Sequence, residues 1–315
     1  MNASPTSGLR IAFFGTPAFA VHILEYLNNE GENIVAVITT PEKQQGRGLK
    51  TQPMVMQSAA QKLGIPVLAP EKLRDENFIS ELRAFNADIF CIVAYKILPR
   101  EVFTMPKFGS FNIHTSLLPK YRGAAPMNWA IINGEKETGV TTFLLDDKVD
   151  TGNILLQESV QISENETVGE LHDELMSLGA KLAFNTIRGL GKGTLTPRPQ
   201  SNELATPAPK IFPDDCRLDF SKTAQEVHNK IRGLSPYPTA TTQLPNGERL
   251  KVFRSIIPET EVNAVSEGKY QISENGKRLF VGTSIGNVEL LEVQRENKKR
   301  MTTEEFLRGA RNLFL

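Results

Sequence analysis

The sequence predicts an α/β protein whose first half forms a mostly parallel sheet and whose last third forms a small β-rich domain. In the first half, short apolar runs alternate with segments of helical periodicity, the pattern of βαβ units with right-handed crossovers. The pattern changes at 189–209, where three glycines and four prolines mark a linker. Beyond it, short strands recur at regular spacing, which is typical of a small sandwich or barrel.

The elements of the first half follow from their periodicity. Strands are predicted at 10–14, 33–39, 65–68, 88–94, 111–114 and 140–145, and helices at 18–27, 54–63, 78–85, 125–132 and 168–190. The run 88–94 is continuously apolar, which indicates a strand buried on both faces. Glu166 and Glu170 lie at the start of the last helix, where the helix dipole favours acidic residues.

The region after the linker has a different pattern. A helix is predicted at 224–231, strands at 251–257, 268–272, 279–282 and 287–293, and a last helix at 303–312. Pro245-Asn246-Gly247 is a hairpin signal. Thr302 or Thr303 is expected to cap the last helix together with Glu305.

Composition narrows the classes of function. The chain has 36 basic and 36 acidic side chains, so a nucleic-acid partner would have to bind local patches rather than a globally basic surface. It holds two distant cysteines and no run of the roughly 18 apolar residues that a membrane span needs. A cytoplasmic protein with reduced thiols is therefore expected. The dinucleotide, Walker, zinc-protease, paired CxxC and serine-hydrolase motifs are missing, so nothing supports a nicotinamide cofactor, ATP or zinc.

The first candidate for chemistry is the pair Asn112 and His114 at the end of the predicted strand 111–114. Residues two apart in a strand share a face, and ligands of open α/β sheets bind at the carboxyl ends of strands. An amide could stabilise an oxyanion there while an imidazole moves a proton. The spacing alone favours an ordinary polar strand end before a turn, because Asn and His are common at strand ends.

A second candidate is Asp150, which follows the predicted strand 140–145 and precedes Gly152. A carboxylate that reaches the same crevice would orient an imidazole and stabilise its protonated form. Asp146 and Asp147 lie nearby, and the sequence does not rank the three. A simple Asx turn is the alternative interpretation.

Two local groups of cations could contact phosphate. Lys43, Arg47 and Lys50 lie in a loop after the second strand, where Gly46 and Gly48 allow close approach of the backbone to a partner. The second group follows the last predicted strand and comprises Lys298, Lys299 and Arg300. Solvated loops would explain both groups as well as nucleic acid does.

Taken together, the motifs resemble the methionyl-tRNA formyltransferase family over nearly the whole chain. The resemblance rests on Phe14-Gly15-Thr16-Pro17, Gly46-Arg47-Gly48, the Asn-x-His-x-Ser-Leu-Leu-Pro run at 112–119, Tyr121-Arg122-Gly123-Ala124-Ala125-Pro126, Glu137-Thr138-Gly139-Val140-Thr141, Asp150-Thr151-Gly152, the segment 231–238 and Lys299-Arg300-Met301.

The resemblance implies a fold and a domain order. It implies a Rossmann-like doubly wound domain of the formyltransferase fold at 1–189, a linker at 190–207, and an OB-like β-barrel domain that binds tRNA at 208–315. Asn112, His114 and Asp150 match the family's catalytic residues. The loop of Ser116, Leu117, Leu118 and Pro119 matches the folate-binding loop, and Arg47 matches the loop that enters beside the tRNA acceptor end.

The resemblance also implies the reaction. The formyl group of 10-formyltetrahydrofolate would pass, without a metal, to the amino group of methionyl initiator tRNA, with no membrane or stable protein partner. The expected tRNA contacts are Lys43, Arg47, Lys50, Lys298, Lys299 and Arg300. An alternative acceptor is a small amine such as an amino-sugar nucleotide. A second alternative is an RNA-binding module that merely senses folate.

Overall fold

The computed structural model describes residues 7–41, 44–45, 50–51, 55–258 and 264–314. Strands cover Arg10–Gly15 (β1), Asn33–Ile38 (β2), Gln44–Gln45 (β3), Lys50–Thr51 (β4), Val67–Leu68 (β5), Ile89–Val93 (β6), Ser110–His114 (β7), Arg122–Gly123 (β8), Glu137–Leu144 (β9), Ile154–Gln161 (β10), Pro207–Ala208 (β11), Ala240–Gln243 (β12), Arg249–Ile256 (β13), Tyr270–Ile272 (β14), Leu279–Gly282 (β15), Asn287–Arg295 (β16) and Met301–Thr302 (β17). Helices cover Ala18–Asn29 (α1), Val55–Lys62 (α2), Glu76–Ala84 (α3), Arg100–Phe103 (α4), Pro126–Ile132 (α5), Val168–Gly191 (α6), Ala224–Gly233 (α7) and Thr303–Ala310 (α8).

The chain divides into two compact units that are not contiguous in sequence. Unit 1 comprises 1–123, 139–159 and 174–207, and unit 2 comprises 124–138, 160–173 and 208–315. The segment predicted as a linker thus lies with unit 1, and two short segments of the predicted first domain lie with unit 2. The predicted boundaries at 189 and 208, as limits of functional domains, remain a prediction.

The sheet that carries most of unit 1 has seven strands in the order β10-β9-β7-β6-β1-β2-β5. β5, β2, β1, β6 and β7 pair in parallel, and β9 is antiparallel to β7. All five residues of β6 are buried, as the continuous apolar run predicted. The prediction of a mostly parallel sheet is therefore confirmed.

The two-residue strands β3, β4, β8, β11 and β17 were not predicted, and neither were three longer elements, β10, α4 and β12. β10 is the end strand of the sheet and becomes polar and exposed at Glu158 and Ser159. α4 is a single turn after Pro99, too short for helical periodicity to show. β12 has the sequence Ala-Thr-Thr-Gln, whose first three residues are buried although none is a large apolar side chain.

Unit 2 is built on an antiparallel sheet in the order β12-β13-β16-β15-β14, with β17 paired to β16. The predicted hairpin joins β12 to β13, and Gly247 adopts φ +83° in its turn. The predicted cap of α8 is Thr302, whose hydroxyl accepts from the Glu305 N–H at 3.3 Å while the Glu305 carboxylate accepts from the Thr302 N–H at 2.9 Å. Both local predictions are confirmed.

The two ends of this sheet meet through Tyr270. Its hydroxyl, on β14, donates to the carbonyl oxygen of Gln243 on β12 at 2.9 Å and lies 3.1 Å from the Thr242 hydroxyl. The sheet therefore curls until its first and last strands are in contact. An OB-like barrel is consistent with this curl and remains a prediction.

The segment 160–173 is fastened to the rest of unit 2 by polar contacts. The buried Arg232 guanidinium on α7 donates to the carbonyl oxygens of Ser163 and Glu166 at 3.3 and 3.2 Å. Arg254 on β13 contacts the Glu170 carboxylate at 2.6 Å. Because buried polar groups need partners, these bonds fix the start of α6 within unit 2.

Across the described ranges, no helix combines the length with the apolar character needed to cross a membrane.

Candidate active site

β7 brings Asn112 and His114 to one face of the unit 1 sheet. In the strand register, Asn112 lies opposite Ile92 of β6 and Phe143 of β9, and His114 lies opposite Thr141. β7 is therefore flanked by β6 and β9, and His114 is its last residue, at the carboxyl end. This is the edge of an open α/β sheet at which ligands bind.

The His114 imidazole is buried, with 6% of the residue exposed. Its Nε2 lies 2.8 Å from the carbonyl oxygen of Tyr121. A carbonyl oxygen can only accept, so Nε2 carries the proton and donates. In the neutral ring the lone pair is therefore at Nδ1, which is the nitrogen that remains available to accept a proton.

Asp150 is the carboxylate that faces this nitrogen. Its Oδ2 lies 3.9 Å from His114 Nδ1, which is ion-pair distance and too long for a hydrogen bond. The same oxygen accepts from the Gly123 N–H at 2.9 Å. A carboxylate at this distance stabilises an imidazolium without occupying Nδ1 in the neutral ring.

The turn at 150–153 lies tightly against the end of β9. A Cβ at Gly152 would come within 1.7 Å of the Leu144 carbonyl oxygen, so a side chain at this position would force the turn away. Asp150 itself has φ +56°, a left-handed conformation that is rare outside glycine. Close packing of the turn therefore fixes where the Asp150 carboxylate points.

The structure distinguishes the three nearby carboxylates that the sequence could not rank. Asp146 accepts from the Lys148 N–H at 2.9 Å and from the Thr151 hydroxyl at 2.7 Å, so it closes its own turn. Asp147 forms an exposed ion pair with Arg100. Asp150 is the one of these three that lies within ion-pair distance of His114.

The Asn112 side chain is half-buried. Its amide makes no hydrogen bond to any residue that the structure describes, which is uncommon for a partly buried amide. It shares a strand face with His114, because the two residues are two apart in β7. The amide is thus available to donate to an oxygen of a bound ligand.

The loop of Ser116, Leu117, Leu118 and Pro119 follows β7 directly and is held by two polar side chains. The Thr141 hydroxyl donates to the Ser116 carbonyl oxygen at 2.6 Å and accepts from the Leu118 N–H at 3.1 Å. The Gln157 amide donates to the Leu118 carbonyl oxygen at 2.7 Å. The loop backbone is therefore fixed beside the His114 end of β7.

Tyr121, Thr141 and Gln157 were not predicted as parts of the site. Tyr121 contributes a backbone carbonyl, which leaves no signature in side-chain chemistry. Thr141 was visible as a polar residue in an apolar strand, and Gln157 belongs to the unpredicted β10. A polar side chain inside a predicted strand was the signal that could have found Thr141.

The predicted cationic contacts have different outcomes. Lys43 and Arg47 lie outside the described residues, and Lys50 begins β4, which pairs with β3. Lys298 and Lys299 are exposed, and no carboxylate among the described residues lies within ion-pair distance of either. The Arg300 guanidinium instead contacts Glu292 and stacks over the Phe253 ring at 4.5 Å. Contact of these three side chains with phosphate remains a prediction.

Both parts of the chain match known protein families. A family model described as formyl transferase matches residues 9–187, and one described as formyl transferase, C-terminal domain, matches residues 210–311. The methionyl-tRNA formyltransferase of Bacteroides thetaiotaomicron is 43% identical over 311 residues, covering 96% of each chain. That of Porphyromonas gingivalis is 44% identical over 310 residues, covering 96% of this chain and 95% of the relative.

A solved structure agrees on the fold. The N-formyltransferase of Helicobacter canadensis, crystallised with folinic acid and dTDP-3-aminofucose, superposes with a TM-score of 0.66 and covers 91% of this chain and 100% of its own. Its sequence identity is 23%, so the likeness is one of fold alone. The family matches and the two close relatives show that the chain belongs to the formyl transferase family.

Proposed function

We propose that this protein transfers the formyl group of 10-formyltetrahydrofolate to the amino group of methionyl initiator tRNA. The observation that carries the proposed reaction is the His114–Asp150 pair, whose nearest ring nitrogen and carboxylate oxygen are 3.9 Å apart. His114 lies on the strand that also presents the Asn112 amide, which has no hydrogen-bond partner among the described residues. The acceptor is supported by relatives that are 43–44% identical over 96% of the chain.

The residues at the end of β7 fit a folate cosubstrate, which supplies the formyl group when it is bound. The Ser116–Pro119 loop would hold it, because Thr141 and Gln157 fix the loop backbone at the edge where the catalytic side chains lie. The Asn112 amide lacks a partner within the described chain, as expected of a group that binds a ligand oxygen. No metal takes part in the proposed chemistry.

Asn112 acts as the donor to the formyl oxygen. Negative charge develops on this oxygen when the neutral amino group of the acceptor attacks the formyl carbon. An amide N–H placed in advance at a partly buried site stabilises that charge without reorganisation.

His114 moves the proton. Its Nδ1 is placed to accept the proton that the attacking amine loses and to return it to the departing nitrogen, so one C–N bond forms as another breaks. Asp150 stabilises the imidazolium between these two steps. The Tyr121 carbonyl keeps Nε2 occupied, so the ring does not need to flip.

Binding of tRNA is proposed to rest on local cations and on the C-terminal region 208–315. Candidate phosphate contacts are Lys43, Arg47, Lys50, Lys298 and Lys299, whereas Arg300 is engaged by Glu292. We also propose a cytoplasmic location, because Cys91 and Cys216 are both free and buried and the close relatives are named for a tRNA substrate.

One assay tests this function. Transfer of labelled formyl from 10-formyltetrahydrofolate is measured with charged initiator tRNA, with the uncharged tRNA as the control, and with amino-sugar nucleotides. The expected result is acid-precipitable label in charged tRNA alone, released by mild base because the aminoacyl group is held by an ester. Label in a sugar nucleotide and not in tRNA would overturn the proposed acceptor, and folate binding without any transfer would overturn the enzyme.

A further inference from the structure

Gln200 lies in the segment after α6 that belongs to unit 1, and its side chain contacts the turn that carries Asp150. The amide nitrogen donates to the carbonyl oxygens of Asp150 and Gly152, at 3.0 and 2.8 Å. Its two N–H groups thus bind two carbonyls of one turn. The turn cannot shift without breaking one of these bonds.

The orientation of the Gln200 amide is fixed by Arg122. The guanidinium donates to Gln200 Oε1 through Nε at 3.2 Å and through Nη2 at 2.8 Å. A guanidinium has donors alone, so the amide oxygen must face Arg122 and the amide nitrogen must face the turn. A third bond from Arg122, to Asn202 Oδ1 at 2.9 Å, holds the guanidinium in place.

Other contacts also hold this turn and the chain beside it. Gly123, next to Arg122, donates its N–H to the Asp150 carboxylate at 2.9 Å. Arg198, two residues before Gln200, exchanges backbone hydrogen bonds of 2.7 and 2.8 Å with Ile154. These bonds fix the position of the Gln200 backbone relative to the start of β10. Asp150 is therefore held at its carboxylate by Gly123 and at its carbonyl by Gln200.

The backbone of Asp150 explains why such bonds are needed. Its φ of +56° is a conformation that a non-glycine residue keeps only when its surroundings hold it there. Relaxation of the turn would rotate the carboxylate away from His114 Nδ1, which is already at 3.9 Å. The imidazolium that forms when His114 accepts a proton would then lose its nearby negative charge.

We propose that Gln200 is a positioning residue for the reaction: by binding the carbonyls of Asp150 and Gly152 it keeps the Asp150 carboxylate facing His114. The inference rests on the proposed formyl transfer for its activity readout. It assigns a catalytic consequence to a segment whose composition predicted a linker.

The test variant is Gln200→Glu. A carboxylate of the same shape still accepts from Arg122 but has no N–H for the two carbonyls. The matched control is Asn202→Asp, which places the same charge on the same guanidinium and makes no described contact with the Asp150 turn. We expect Gln200→Glu to lower kcat roughly ten- to a hundredfold with KM for folate and tRNA nearly unchanged, as misplacement by about 1 Å does. Asn202→Asp should retain kcat within about twofold, the scatter of an exposed surface substitution.

A double-variant cycle separates positioning from a general loss of structure. In the Asp150→Asn background, Gln200→Glu should have little further effect, because the group through which it acts is already gone. Equal fold losses in both backgrounds, or wild-type kcat in Gln200→Glu, would overturn the inference. If Gln200→Glu does not fold by circular dichroism, Gln200→Met replaces it, since it keeps the length and removes the donors.

The two proposals fail in different ways. If the wild-type protein formylates another amine, the proposed acceptor is wrong, and the same cycle is measured with that amine. The inference about Gln200 then stands or falls on the cycle alone.

Discussion

The Nε2 of His114 donates to the carbonyl oxygen of Tyr121 at 2.8 Å, which fixes both the orientation and the tautomer of the ring. Tyr121 adopts φ +61°, so the chain turns back towards the strand from which His114 projects. In the proposed reaction, Nδ1, on the side of Asp150, is therefore the nitrogen that transfers the proton.

The first prediction is this tautomer. In ¹⁵N spectra of protein labelled at histidine, recorded where the His114 ring is neutral, Nε2 should show the shift of a protonated nitrogen and Nδ1 that of an unprotonated one. His114→Gln identifies the resonances by their loss. The opposite assignment would mean that the Tyr121 carbonyl does not hold the ring in solution.

The second prediction concerns Asn112. Asn112→Ala should lower kcat by a factor on the order of 10²–10³, the usual loss when one oxyanion donor is removed. Folate affinity should stay nearly constant, since the Ser116–Pro119 loop is held by Thr141 and Gln157 and not by Asn112. Single-turnover transfer and equilibrium folate binding measure the two effects. A correctly folded Asn112→Ala with most of its turnover would refute the donor role.

The third prediction compares three neighbouring carboxylates. Asp150→Asn should lower kcat by roughly 10²-fold or more, because the His114 imidazolium loses its counter-charge and the ring loses the carboxylate that orients it. Asp146→Asn and Asp147→Asn are matched controls on the same loop. They should stay close to wild type. An amide oxygen at position 146 still accepts from the Lys148 N–H and the Thr151 hydroxyl, and Asp147 pairs with Arg100 at the surface.

Initial rates of formyl transfer for the three purified variants decide the matter. Near-normal activity of Asp150→Asn, together with a large loss in one of the other two, would move the catalytic carboxylate to that residue.

The fourth prediction concerns pH and unit 2. The pKa of Glu170 is lowered to about 2, chiefly by the hydrogen bond from the Thr167 N–H and further by Arg254. A carboxyl whose pKa is depressed on folding stabilises the fold above its ordinary pKa of about 4.3, and this stability is lost as pH falls towards the folded value. The contribution should be modest, because the Glu170 side chain is 49% exposed.

Glu170→Gln should therefore be less stable than wild type at neutral pH, and the difference should shrink between about pH 5 and pH 2. Urea unfolding across this range measures it. Glu174→Gln, an exposed change on the same helix, is the control. A difference that does not vary with pH would show that charge on Glu170 contributes nothing to stability.

The sequence predicted the elements whose pattern is strong. β6 was evident because its five residues are all apolar and buried, and the α8 cap because a Thr-x-x-Glu pattern allows the two reciprocal bonds that are observed. β10 was missed because half of an end strand faces solvent and need not be apolar.

The site residues likewise divide into those with a clear sequence pattern, which were predicted, and those without one, which were not. Asn112 and His114 were found because the side-chain types and their spacing along a strand are visible in the linear sequence. Asp150 could not be ranked above Asp146 and Asp147 from the residues alone, because the difference lies in a backbone φ and in what each oxygen contacts. The Tyr121 carbonyl and the Gln200 amide act on residues 7 and 50 positions away, and spacing gives no information at that range.

The last prediction concerns cations and tRNA. The chain has equal numbers of basic and acidic side chains, so tRNA affinity must rest on a few of them. Arg47→Ala should lower tRNA affinity and transfer while folate affinity stays the same, and Arg47→Lys should be intermediate, because lysine cannot bind phosphate bidentately. Each lost phosphate contact should flatten the salt dependence of tRNA binding by roughly one unit of slope.

Lys299 and Arg300 give the matched comparison in unit 2. Lys299 is exposed with no carboxylate of the described chain in ion-pair range, so Lys299→Ala should flatten the salt slope as a phosphate contact does. Arg300 is engaged by Glu292 and the Phe253 ring, so Arg300→Ala should reduce stability more than it changes that slope. Affinity across a salt series, with melting temperature in parallel, measures both. A larger slope change for Arg300→Ala than for Lys299→Ala would contradict this assignment. It would mean that tRNA displaces Glu292 from Arg300 and that the Arg300–Glu292 ion pair forms only in the absence of tRNA.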